Sequence, residues 1–218
     1  MPRQLKASAS NITPAPAGIH NARIFRIADL GTQTIQFKGK PPKQIPQIRI
    51  WAELVDTAHA FDPEKPKDKK PFSVMMDLTF TLTGDSKLKN IIQSINNIKV
   101  KPGDSVDVYS KLLNKPCQVQ VVHSEPNAEG KVFPNIKEIF APNPKVKVKE
   151  LFNETVTFDL ADFDKDVFLA LPQKTQEKIK LSPEFQNDIL LSGSLASDSA
   201  AEQSASARRT KGKPKKGK

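Results

Sequence analysis

The chain has 218 residues, an apolar fraction of 37% and a formal net charge of +10 at pH 7. That length allows one domain with appendages or two small ones, and the apolar share is low for a chain that is globular throughout. The single cysteine, Cys117, excludes an internal disulfide, and no apolar run approaches the ~20 residues that cross a bilayer. The charge is uneven: residues 1–150 hold 23 basic and 14 acidic groups, 151–191 hold 4 and 8, and 192–218 hold 7 and 2. A basic body concentrates polyanions around itself, which points to nucleic acid as partner. Met1, Pro2 and Arg3 are followed by no apolar segment of signal-peptide length, so a soluble, intracellular protein without a membrane partner is expected.

Residues 1–16 are rich in Ser, Ala and Pro and read as a flexible N-terminal arm. From Gly18 to Leu30 a strand is expected, with Ala22, Ile24, Arg26, Ala28 and Leu30 on one face and Arg23, Phe25, Ile27 and Asp29 on the other. Gly31 and Thr32 then bend the chain into a basic connection whose Lys38, Lys40 and Lys43 can reach phosphates. Gln47 to Val55 is the clearest alternation: Ile48, Ile50, Ala52 and Leu54 against Gln47, Arg49, Trp51 and Glu53. The sole tryptophan falls on the polar face beside a guanidinium, the pairing that base stacking and phosphate contact require. The competing reading is that the C-terminal segment covers it. Residues 57–71 read as a hydrophilic excursion and not as a metal site, and Phe72 to Leu82 as a third strand. Leu88, Ile91, Ile92, Ile95 and Ile98 recur at helical spacing behind Asp85 or Ser86 as N-cap, and a second short helix is expected over 106–113.

Lys115 to Phe140 reads as a long β-hairpin. Cys117, Val119, Val121 and His123 form one face of its first strand, Pro126, Asn127, Glu129 and Gly130 make the turn, and pairing resumes at Lys131. The return run carries Lys131, Phe133, Lys137 and Phe140, so cationic and aromatic groups emerge together. Cys117, on the apolar face, is a small core residue before it is a reactive thiol.

Three strands, a helix and a closing hairpin is the order of a five-stranded OB-fold Greek-key barrel, whose strand 2–3 face and 1–2 and 4–5 loops bind oligonucleotides. The expected class is therefore mainly β: an OB-fold-like domain over 17–143 with an inserted helix, followed by an acidic, partly helical extension over 144–191 and a disordered basic tail over 192–218. In the extension Asp162 is expected to cap a helix, with Asp164 and Asp166 in its first turn, in preference to a metal-binding role for these aspartates and Asp159. Pro172 and Pro183 suit first turns, and Ser182 can cap.

Four stretches, AGIHNARIFRIADLGTQ at 17–33, KLLNKPCQVQVVH at 111–123, GKVFPNI at 130–136 and TFDLADFDKDVFLALPQKTQEKIKLSPEF at 157–185, resemble a family of phage-encoded single-stranded DNA-binding or replication-accessory proteins. The resemblance implies the OB-fold, single-stranded DNA as ligand, action in replication or recombination, and a place in the host cytoplasm. It rests on framework residues, so no binding residue is carried over. One departure is the C-terminus, RRTKGKPKKGK, where such proteins often carry an acidic, partner-recruiting tail.

The function expected is sequence-tolerant binding of single-stranded DNA, by stacking on Trp51, Phe25 and Phe133 and phosphate contacts from Arg23, Lys38, Lys40, Lys43, Arg49, Lys131 and Lys137. Replication or recombination proteins are expected partners of the acidic extension. The alternative is a non-enzymatic interaction or structural module whose basic tail tethers nucleic acid. No Gly-rich phosphate loop, paired histidines or nucleophile with a recognisable base is present, so neither catalysis nor a cofactor or metal is expected.

Overall fold

The computed structural model describes residues 13–36, 39–62, 64–128 and 130–190, with the backbone alone at 188–190. β1 (Gly18–Ile35), β2 (Lys43–Ala60) and β3 (Lys69–Thr79) precede helices α1 (Lys87–Asn96) and α2 (Val108–Leu112). Strands β4 (Pro116–His123), β5 (Pro134–Phe140) and β6 (Val156–Phe158) follow, then helices α3 (Lys165–Ala170), α4 (Gln173–Lys180) and α5 (Phe185–Leu190), the last wound as a π-helix. The fold is mainly β, a six-stranded antiparallel sheet ordered β3-β2-β1-β4-β5, with β6 paired to β1 off that path. β3 and β5 stand at the two ends of the order and touch, yet among the described residues no ladder joins them, so the sheet is open.

The chain divides into two compact units, residues 1–27 with 48–157 and residues 28–47 with 158–218. In the first, the apolar faces read from sequence meet in one core: Ile48, Ile50, Ala52 and Leu54 of β2, Phe72, Val74 and Leu78 of β3, Leu88, Ile91 and Ile92 of α1, and Cys117, Val119 and Val121 of β4. Burying each of the larger side chains contributes about 1.5–3 kcal/mol, before the chain entropy that opposes it. Ile24 and Ile27 both enter this core although three apart, so the period of two is broken between them, which places Arg26 away from where strict alternation puts it and leaves Phe25 on the face opposite Ile24. A second irregularity lies in the β4–β5 ladder, where Gln120 pairs with Glu138 but Val121 with Ile136. Lys137 is thereby the unpaired residue, and both Ile136 and Ile139 reach the core.

α1 begins where Ser86 accepts a hydrogen bond from the Lys89 amide and ends at Asn97 in the left-handed region, φ 51°. α2 is capped by Asp107. Pairing in the closing hairpin resumes at Pro134, not at Lys131, because the intervening residues satisfy their backbone locally. The Lys131 amide donates to Asn127 Oδ1 (2.9 Å) and the Phe133 amide to Ser124 Oγ (3.0 Å). β2 extends beyond Gln47–Val55 at both ends and β3 starts at Lys69, so that residues 61–68, rather than 57–71, connect them; β3 ends at Thr79, short of the expected Leu82. Of the expected flexible arm, only its end is described, and there Ala15 is buried. The Ala15 and Pro16 carbonyls accept from His123 Nε2 (2.8 Å) and His20 Nε2 (2.9 Å), which holds residues 15–16 in place.

The second unit is built on phenylalanine. Phe168 lies 5.7 Å from Phe158 and 5.2 Å from Phe185 between ring centroids, and Phe163 closes the group at 5.6–6.0 Å. β1 does not stop at Leu30 as expected: it continues to Ile35 through Gly31, which has φ +65°. A Cβ there would stand 2.5 Å from Ser182 Cβ, so the residue must be glycine for the chain to pass. Thr32 donates to Glu184 from both its amide (2.9 Å) and its hydroxyl, and Gln33 Nε2 donates to the Lys178 carbonyl (3.0 Å). Stretches 17–33 and 157–185 thus owe part of their composition to each other. α3 is capped by Asp164, whose carboxylate accepts from the Asp166 and Val167 amides, so the cap is two residues beyond the expected Asp162. Ser182 Oγ accepts from the Phe185 amide (3.2 Å), as a cap should. The tail, 192–218, lies outside the described residues.

Candidate nucleic-acid interface

Alternation in β2 assigns Arg49, Trp51 and Glu53 to the face opposite the core, and β1 adds Arg23 and Phe25. That face is not wet. Glu53, 1% exposed, accepts from the Phe152 amide (2.8 Å), the Asn153 amide (2.9 Å) and Asn153 Nδ2 (2.6 Å). Arg23 donates from Nε to the Lys149 carbonyl (2.8 Å), from Nη1 to the Asn114 carbonyl (2.8 Å) and from Nη2 to Glu150 (3.0 Å). Residues 148–153, at the start of the expected acidic extension, are therefore a strap laid on the sheet and held by one cation and one anion beneath it. Their backbone groups need partners once buried, and these two side chains supply them.

The consequences for the expected site are direct. Trp51 is 6% exposed and Phe25 5%, so neither ring offers a free face for a base. Arg49 is buried and bidentate on Asp77 of β3, Nε to Oδ1 at 2.5 Å and Nη2 to Oδ2 at 2.8 Å. Arg23 is spent on the strap. Both guanidiniums are structural here, because a buried arginine must be neutralised and hydrogen-bonded to be tolerated. The remaining expected residues keep their exposure. On the β4–β5 hairpin Phe133 is 52% exposed, with Lys131 and the bulged Lys137 also exposed. Phe140, at the far end of β5, is 39% exposed. Lys87 of α1 lies beside this strand, its ammonium donating to the Lys137 carbonyl and 3.5 Å from Glu138. Lys40 and Lys43 are exposed in the second unit, and Lys38 lies outside the described residues.

Two groupings escaped the sequence reading. At the β2–β3 connection His59, Phe61 and Phe72 form a ring cluster, with centroid separations of 5.0–5.2 Å and His59 stacked on Phe72. Only the extended β2, which carries the alternation on to Ala60, could have signalled it. The second is Arg26, grouped by strict alternation with Ala22, Ile24, Ala28 and Leu30. Its guanidinium instead lies 5.5 Å from the Phe25 ring and 5.6 Å from the Trp51 ring, with Arg49 5.8 Å from the same indole. Desolvation alone lowers the Arg26 pKa.

Burial pushes the Cys117 thiol up to about 12, so it stays protonated and unreactive. Among the described residues no His, Cys, Asp or Glu group of three or more is placed to hold a metal, and no helix is long and apolar enough to cross a membrane. No protein-family model matches the chain, and no curated protein is significantly similar to it.

Proposed function

We propose that this protein binds single-stranded DNA without strong sequence preference, in phage replication or recombination, on an OB-fold-like barrel. The observation that carries the reading is the β4–β5 hairpin, where a half-exposed Phe133 stands between the exposed cations Lys131 and Lys137. An isolated exposed phenylalanine is ordinary on any surface. Paired with cations on a closing hairpin it is the combination that stacking and backbone tracking need. The barrel assignment is supported by the strand order, by α1 between β3 and β4, and by the contact of β3 with β5, which a closed five-stranded Greek key requires. The resemblance of the four quoted stretches to phage single-stranded DNA-binding proteins agrees with it.

The test is a titration of labelled single-stranded and duplex oligonucleotides at several salt concentrations, with the Phe133→Ala variant alongside. Single strands should bind more tightly than duplex, and losing the ring should weaken single-strand binding by about 1–3 kcal/mol without altering stability. Equal affinity for duplex, or an unaffected variant, would overturn the reading. A second reading, an interaction module that docks a replication or recombination protein through the acidic extension, is favoured by the exposed Leu169 and Leu181 beside α3 and α4. Absence of any DNA binding by the full chain would select it.

A further inference from the structure

The face of β1 and β2 that the sequence offered as a stacking platform is closed over Phe25 and Trp51, but one half-buried cation on it, Arg26, has no ion-pair partner among the described residues. Two guanidiniums, Arg26 and Arg49, lie within 6 Å of the Trp51 indole, and Asp77 neutralises only the second of them. Among the described residues no carboxylate pairs with Arg26 and no acceptor takes a hydrogen bond from it. Its Nε is buried without a partner. Its pKa is lowered by desolvation, with no acid nearby to oppose that.

The Arg26 guanidinium lies over both the Phe25 and the Trp51 rings, and its Nε, cut off from water with no acceptor in exchange, carries a desolvation cost in the free protein. The bland account is that Arg26 only caps the indole through its cation–π contact, with its outer nitrogens in water. That account leaves the charge without a counter-ion among the described residues. The outer nitrogens, unlike the buried Nε, are open to an anion that would supply one, and a pair of phosphate oxygens matches guanidinium geometry. From this we infer that Arg26 is an anion-binding group that takes a backbone phosphate of the single strand, with Trp51 as the platform that orients the guanidinium rather than as a base-stacking ring. The inference rests on the reading of the protein as a single-stranded DNA-binding protein and names a contact of it. It also reassigns the sole tryptophan, which becomes a reporter of the phosphate site.

The experiment uses the full chain, a labelled oligothymidylate and, separately, inorganic phosphate, with Trp51 emission as second readout. In Arg26→Gln, single-strand affinity should fall roughly tenfold, as for loss of one charge-assisted contact, and the slope of log affinity against log salt should flatten by about 0.7. Arg26→Lys, which keeps the charge but not the fork, should restore the slope and only part of the affinity. Trp51 emission should change on adding oligonucleotide to the wild type and not to Arg26→Gln. If Arg26→Gln binds DNA like the wild type, this inference fails while the function stands. If the wild type binds no single-stranded DNA, the proposed function fails. Phosphate alone, shifting wild-type emission but not that of the variant, would then still support an anion site; no shift would end both. Should Arg26→Gln not fold, Arg26→Lys and the wild-type phosphate titration decide, and wild-type affinity in Arg26→Lys or silence to phosphate would each count against the site.

Discussion

Replacing Glu53 by Gln tests whether the strap is held by the carboxylate. The change is nearly isosteric, so packing is preserved and the effect isolates charge and hydrogen bonding. In the wild type both carboxylate oxygens accept, three donors in all, and the acceptors are almost completely buried. Glutamine offers one acceptor oxygen and presents an amide group to the other donors, so at least one donor faces a donor. Hydrogen bonds to a charged acceptor contribute about 1.5–3 kcal/mol each, and a buried donor left unpaired costs about 1–3 kcal/mol. Losing one such bond and weakening the rest should destabilise the domain by about 2–4 kcal/mol. Urea denaturation gives the global figure, and hydrogen exchange at the Phe152 and Asn153 amides gives the local one, since those two should lose protection first. A variant within about 0.5 kcal/mol of the wild type, with both amides still protected, would show that the strap does not depend on Glu53 and that the arrangement on this face has been misread.

Other expectations follow from particular contacts. Gly31→Ala should cost at least about 3 kcal/mol, from the left-handed backbone and the overlap with Ser182 and Leu160, and Ser182→Gly in the same chain should relieve only the Ser182 part of that overlap; a single variant that melts like the wild type would refute it. Burial raises the Asp29 carboxyl to about 6, assisted by Asp159 and Glu184 and opposed by the Gly31 amide. The folded chain therefore binds that proton more tightly than the unfolded one, and stability falls as pH rises from about 4 to about 6. Asp29→Asn should remove that fall, gaining on the order of 2 kcal/mol at pH 7.5 and little at pH 4, and a gap that does not vary with pH would count against it. For Glu184 burial opposes the charge, but the Thr32 hydroxyl and amide outweigh it and lower its pKa, so Thr32→Val should weaken folding more at neutral than at acid pH in the same denaturation series. Lys137→Glu should reduce single-strand affinity for all sequences alike and flatten the salt slope, because phosphate contacts do not read bases; sequence-dependent loss in a panel of oligonucleotides would contradict this.

What the sequence determined by itself was the sorting of residues into faces. The period of two in β2, β3 and β4 and the helical spacing in α1 each require only local geometry, and most residues so grouped form the core of the first unit, the exceptions being Ile98, which lies beyond α1 and is exposed, and the exposed His123. The element order followed for the same reason, because turn and cap residues mark where a period ends. What local periodicity does not contain is which of two faces is covered. Arg49, Trp51 and Glu53 look like a solvent face because they are polar or amphipathic, but Glu53 is met by Phe152 and Asn153, about a hundred positions away in the chain, and Arg49 by Asp77 of β3. The alternation in β1 breaks between Ile24 and Ile27, and Arg26, grouped by strict alternation with Ala22 and Ile24, lies over the indole instead. Gly31 likewise reads locally as a bend, and only the closeness of Ser182 shows that its missing side chain makes room for another part of the chain. Buried polar groups are tolerated only with partners, and those partners are chosen by tertiary packing. That is why the apolar core was legible in the sequence and the candidate binding face was not.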